Sequence, residues 1–261
     1  MAGLVVTTAA ENGELAARLG EIADPGIAEF LYHDAVSVAL FDPLRHRFAE
    51  YTLIGVDPAE PEVPVAVLYT VPFTWDADPA VELPSGGYDA VLLGAAEDQL
   101  AGRRGNVVSA VLAMVRPELR GRGLSALMLD AARRNAAELG HACLVAPVRP
   151  VRKHLSPHLP MAQYVARRRP DGMPEDPWLR VHARAGGRMV SVAPCSMTVR
   201  EPLSRWRQWT GLPFDTAGPV VVRGGLVPVH CDPREDIAVY VEPNVWYHHS
   251  LIDRGTPILS V

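Results

Sequence analysis

The 261 residues include only three cysteines, Cys143, Cys195 and Cys231, an odd number at spacings that fit neither a disulfide framework nor a zinc site. No apolar run is long enough to cross a membrane, and the first residues lack the basic start and apolar core of a secretion signal. A reduced cytoplasmic setting is the expectation, with no membrane partner. A basic stripe is missing too: the formal net charge is −5, which argues against a nucleic-acid backbone as partner. The run Arg167-Arg168-Arg169 reads as a solvated turn. Two common phosphate loops are absent, the G-x-x-x-x-G-K-[ST] loop and a G-x-G-x-x-G that opens a helix.

What is present centres on residues 106–140. Asn106 to Val115 is almost wholly apolar, with β-branched and small residues, as in a strand buried on both faces. Leu124, Leu127, Met128, Ala131, Asn135 and Leu139 recur at helical spacing, with Arg133, Arg134 and Glu138 off that stripe. Between them lies Arg120-Gly121-Arg122-Gly123, a tight turn whose glycines leave room for a ligand against the main chain. Strand, glycine turn and helix in that order make an anion site, because the unpaired N–H groups at a helix start share one direction with its dipole. A pyrophosphate is the expected guest.

Around this centre the pattern predicts a strand at Leu4 to Thr7 and a helix from Glu11 to Ile22 closed by Asp24-Pro25-Gly26. A helical or mixed segment follows from Ile27 to Ala39. Tyr51 to Val56 and Val63 to Val71 read as an antiparallel hairpin. A proline- and glycine-bearing loop, 76–87, precedes a helix from Tyr88 to Ala101. After the centre, Ala142 to Val148 reads as a strand parallel to the first, since a helix crosses between them. A long proline-rich loop spans Arg149 to Asp176, and loops of that length tend to be functional. Pro177 to Ala185 reads as a helix capped by Asp176, and Arg188 to Val199 as a strand. Leu203 to Trp209 reads as a helix, with strands near Val220 to Val229 and Ala238 to Trp246.

Val115 to Ser125, V-x-P-E-x-R-G-x-G-L-S, resembles the acyl-CoA-binding motif of the GCN5-related N-acetyltransferase (GNAT) superfamily, with the family pattern falling on Arg120, Gly123 and Ser125. Serine stands where the family usually has glycine or alanine. The resemblance implies an α/β fold with a mixed sheet, here with an extra helix at 88–101, the proline-rich loop and added C-terminal strands. It also implies one elaborated domain over 1–261, with 1–105 on the acceptor side, 106–148 as the acyl-CoA-binding core and 149–261 as the C-terminal half. The implied co-substrate is acyl-CoA, acetyl-CoA or longer, with no metal. Its contacts would be Ala113, Met114 and Val115 at the strand end and Arg120, Gly121, Arg122, Gly123, Leu124 and Ser125 at the turn.

The implied reaction moves the acyl group to the amine of a small-molecule acceptor. An acyl carrier protein as donor, a non-catalytic thioester sensor and thioester decarboxylation or S-acyl transfer stay open as alternatives, as does a homodimer. The family often places a tyrosine four residues before a glycine to protonate the leaving thiolate. Here H-A-R-A-G puts His182 at that position, and Tyr164 in the proline-rich loop is its rival. His182 has a plain reading as well, packing with Trp178 and Val181. Glu242 and Asn244 either reach an acceptor pocket or end a strand. His248-His249-Ser250-Leu251-Ile252-Asp253 is set aside as a coincidence and the His154/His158 pair as split by Pro157, while Cys231 between His230 and Asp232 reads as a buried strand cysteine rather than a nucleophile.

Overall fold

The computed structural model describes residues 3–22 and 26–251. The expected turn at Asp24-Pro25 and the end of the His248–Asp253 run lie outside them. Along the chain come β1 (Val5–Thr8), α1 (Gly13–Ala17), α2 (Ala35–Arg47), β2 (Thr52–Asp57), β3 (Glu60–Phe73) and α3 (Gly87–Ala101). Then follow β4 (Val107–Val115), α4 (Leu124–Glu138), β5 (Cys143–Val148), α5 (Met161–Val165) and α6 (Pro177–Arg184). The chain closes with β6 (Arg188–Glu201), α7 (Leu203–Thr210), β7 (Gly218–Val220), β8 (Val229–Asp232) and β9 (Ile237–Ser250). The strands form one mixed sheet in the order β1-β2-β3-β4-β5-β9-β8-β7, with β6 on the other edge of β9. Among the described residues only β4 and β5 pair in parallel, joined by the crossover helix α4.

Strand alternation sorts side chains to two layers. Val108 and Leu144 go to one face, under the Met128, Leu129, Ala132 and Ala136 stripe of α4. Val107, Val145 and Trp246 go to the other, under Leu44 of α2 and Val91, Leu92 and Ala95 of α3.

Several boundaries differ from the sequence reading. The helix expected at 11–22 is a five-residue α1 capped by Asn12, followed by a 3-10 turn. The 27–39 segment divides at Asp34, whose carboxylate accepts from Ser37 N and so starts α2 afresh, and α2 continues through Pro43 to Arg47. The proline-rich loop contains the short α5 and is tied down by Lys153, whose ammonium donates to Ser156 O and Leu226 O. The strand expected at 220–229 is two short strands, β7 and β8, parted by a turn in which Gly225 N donates to Val222 O.

Candidate active site

β4 and β5 pair only at Val108–Leu144 and Ser109–Val145. Beyond that β4 stays with β3 as far as Val115, and the β3–β4 register skips Val111, an extra residue in β4. A bulge bends the strand that carries it. From Ala110 onward β4 therefore leaves β5, and a wedge-shaped cleft opens between two strands that start side by side. Ala113 is exposed on this stretch, with Met114 half-buried and Val115 buried.

At the foot of the wedge a 3-10 turn, Pro117–Leu119, leads into Gly121 and Gly123 at φ +78° and +83°, a left-handed backbone that suits glycine. α4 starts at Leu124 with no side chain capping it. Its first internal bonds come from Ala126 N and Leu127 N to Gly123 O, and no backbone carbonyl among the described residues accepts from the amides of residues 121–125. A Cβ placed on Gly121 or Gly123 meets nothing within 4 Å. Exposed amides, open space and the positive end of a fifteen-residue helix coincide, which is the chemistry a diphosphate needs. The structure thus brings Ala113, Met114, Val115 and Arg120 to Ser125 together along one path, strand end to helix start.

His182 and Tyr164 stand differently. His182 projects from α6, which Pro177 opens and Asp176 caps through Trp178 N and Leu179 N. Its side chain is 2% exposed, and Nδ1 lies 3.0 Å from His249 Nε2 on β9. The rings of Trp178 and Tyr247 close around it. Burial, then His249, hold its pKa well below the usual imidazole value. Burial and the nearby Arg133 and His248 bring His249 down to about 4. The pair is neutral, one ring donating to the other. Tyr164 donates its hydroxyl to Asp176 Oδ2 at 2.8 Å, where Arg152 N also donates. Burial and Asp176 push the phenol pKa up. The Tyr164 hydroxyl is committed to Asp176 and one nitrogen of the buried His182 ring to His249, which favours a packing role for each.

A second polar system lies on the α2–α3 face, and only part of it is visible in the sequence. Arg149 Nε meets both oxygens of Glu242, at 2.9 and 3.0 Å. Glu242 also accepts from Tyr240 Oη and Asn244 Nδ2, Asn244 Oδ1 accepts from Ser196 Oγ, and Ser196 Oγ accepts from Tyr88 N. The Tyr88 hydroxyl pairs with Ser37 Oγ beside Asp34, which caps α2 and also accepts from Thr198 N. Burial and then the Asp34 carboxylate raise Asp89 to about 8. Glu242 and Asn244 were singled out from the sequence. Arg149, Ser196, Asp34 and Asp89 were not, because strand irregularities and helix starts distant in sequence bring them together. Cys231 is fully buried and burial raises its thiol, so it is no nucleophile. Among the described residues no group of three metal-ligating side chains converges, and no helix is long and apolar enough to cross a membrane.

Set against known proteins, the chain matches no family model. It is 36% identical over 193 residues to the arginine N-acetyltransferase avaD of Aspergillus versicolor, covering 66% of this chain and 67% of that protein. Its fold is similar to the loading GNAT-like domain of CurA from Lyngbya majuscula, at a TM-score of 0.56 and 16% identity over 95% of this chain and 97% of that one. With the wedge between β4 and β5 and the uncapped glycine turn before α4, these likenesses place the chain in the GCN5-related N-acetyltransferase superfamily, as an acyl-CoA-dependent N-acyltransferase.

Proposed function

We propose that the enzyme moves the acyl group of acyl-CoA, acetyl-CoA first among them, to the amine of a small acceptor of the amino-acid class by direct attack on the thioester. The observation that carries this reading is the divergence of β4 from β5 after two paired residues, followed by a turn whose amides at 121–125 bond to no backbone carbonyl among the described residues. The activity of the Aspergillus relative, an arginine N-acetyltransferase, supports an amino-acid acceptor. In this reading the amides of Gly121 to Ser125 hold the diphosphate, with Arg120 and Arg122 adding positive charge. The unpaired edge of β4 at Ala113, Met114 and Val115 hydrogen-bonds the pantetheine arm. Main-chain N–H groups fixed at that edge polarise the acyl carbonyl as charge develops on its oxygen.

The donor supplies an activated carbonyl and a thiolate leaving group. A thiol of pKa about 8.5 departs without a strong acid, so positioning carries much of the rate. His182 and Tyr164 then serve packing rather than proton transfer.

The test is thiol release from acetyl-CoA with a panel of amino acids and amines, paired with calorimetric binding of CoA. Saturable turnover with a subset of acceptors is expected. Saturable CoA binding with no turnover across the panel would make the protein a sensor and overturn the reading. S-acetylpantetheine in place of acetyl-CoA should lose about a hundredfold in kcat/KM, in line with several charge-assisted bonds. Equal rates would shift the donor to a carrier protein's phosphopantetheine arm.

A further inference from the structure

β9 is the most heavily shared strand of the sheet, yet its middle is not paired on one edge. It pairs with β5 from Val245 onward and with β8 only as far as Val239, so residues 240–244 face no strand there. On the other edge β6 bulges over the same stretch, from Ala193–Asn244 to Met197–Glu242. Arg149, the first residue past β5, enters this gap.

Its anchoring is unusually complete on two of three nitrogens. Nε is held by Glu242, whose side chain is fully buried, and Nη2 donates to Gly224 O at 2.6 Å. Glu242 is itself fixed by Tyr240 and Asn244. Nη1 donates to neither Glu242 nor Gly224, and the side chain keeps 34% of its exposure. Such a guanidinium loses little freedom when it takes a further oxygen.

Position supplies the rest. β5 runs parallel to β4 from the Val108–Leu144 pair, so Arg149, just past the end of β5, lies toward the same end of the sheet as the last residues of β4, across the wedge from them. Strand alternation gives Arg149 the same side as Cys143 and Val145, the α2–α3 face. The amides of the glycine turn belong to α4, which packs on the other face. An anion at Arg149 is therefore a different one from the donor's diphosphate.

We propose that Arg149, held by Glu242, is a specificity residue that binds the carboxylate of the acceptor through Nη1, selecting amino acids over the corresponding decarboxylated amines. This rests on the amine-acceptor reading above. Planar charge-assisted pairing of arginine with carboxylate is the interaction such a fixed fork provides.

The experiment compares acceptors that share an amine and differ in the carboxylate: L-arginine with agmatine, and L-tyrosine with tyramine. Wild-type enzyme should favour the carboxylated member of a pair it uses by about ten- to a hundredfold in kcat/KM. In Arg149→Met and Arg149→Lys that ratio should fall at least tenfold, through acceptor KM and not through Kd for CoA. The ratio is taken within one preparation, so a partly folded variant does not distort it, and lysine keeps a charge for Glu242 if methionine fails to fold. No preference in the wild type, or a preference that survives both substitutions, overturns the proposal. Turnover of no acceptor alongside saturable CoA binding overturns the amine-acceptor reading, and this inference with it.

Discussion

An imidazole serves as a proton donor only if it can be charged and reached, and burial works against both at His182. Its one short polar contact is the 3.0 Å bond to His249, and burial favours its neutral form. His182→Ala should therefore act on stability, costing about 2–4 kcal/mol in denaturant unfolding by leaving a cavity and an unpaired His249. The kcat of the folded fraction should stay within a few-fold of wild type. A hundredfold fall in kcat at unaltered stability would return His182 to acid catalysis. Tyr164→Phe poses the same question of the rival. Asp176 keeps its bonds from Arg152, Trp178 and Leu179, so about 1 kcal/mol of stability should go and kcat should hold. Gly123 is the counter-case, since a side chain there costs strain at φ +83° and projects into open space before α4. Gly123→Glu should raise Kd for CoA by tenfold or more and lower Tm by a few degrees through the backbone strain, and an unaltered Kd would refute the anchor.

Elements differ in how readable they were. The strand–turn–helix at 107–138 was legible because each part follows a local rule: an apolar run, two glycines at positive φ and a helical stripe over Leu53 and Leu68. The wedge was not written in any one strand, because it depends on Val111 being skipped in pairing with β3 and on β5 stopping at Val148. The polar gap was half legible: Glu242 and Asn244 read either as reaching an acceptor pocket or as ending a strand, and it takes Ser196 on the bulged β6 and Arg149 past β5 to join them. α3, visible as an addition to the family pattern, is what locks that bulge. Gly87 opens α3 at φ +48°, and a Cβ there would collide with the Ser196 side chain and sit 2.9 Å from its Cα. Gly87→Ala should thus push α3 off β6. A loss of a few kcal/mol in stability is expected, with acceptor KM rising because Ser196 supports Asn244 and Glu242. Normal KM in the folded protein would separate α3 from the site.

Among the described residues, buried titrating groups of two kinds pull stability in opposite directions with pH. His249 falls to about 4 against an ordinary 6.5, and His182 is lowered too, so between those values the unfolded chain binds protons that the folded one refuses. Their contribution is full above about pH 6.5 and is lost as pH falls toward 4. Asp89 rises to about 8 against an ordinary 3.8, first through burial and then through Asp34, so the folded chain holds a proton there that the unfolded one has released. That contribution is present below the unfolded value and drains away as pH climbs through 8. In wild type the two slopes oppose each other below about pH 6.5 and leave a net decline above it. Asp89→Asn removes the second slope, because an amide at the same place donates to the Asp34 carboxylate at every pH. The Tm of the variant minus that of wild type should grow steadily from pH 5 to pH 8.5. Parallel curves over that range would mean that Asp89 ionises normally and that the pair at the starts of α2 and α3 shares no proton.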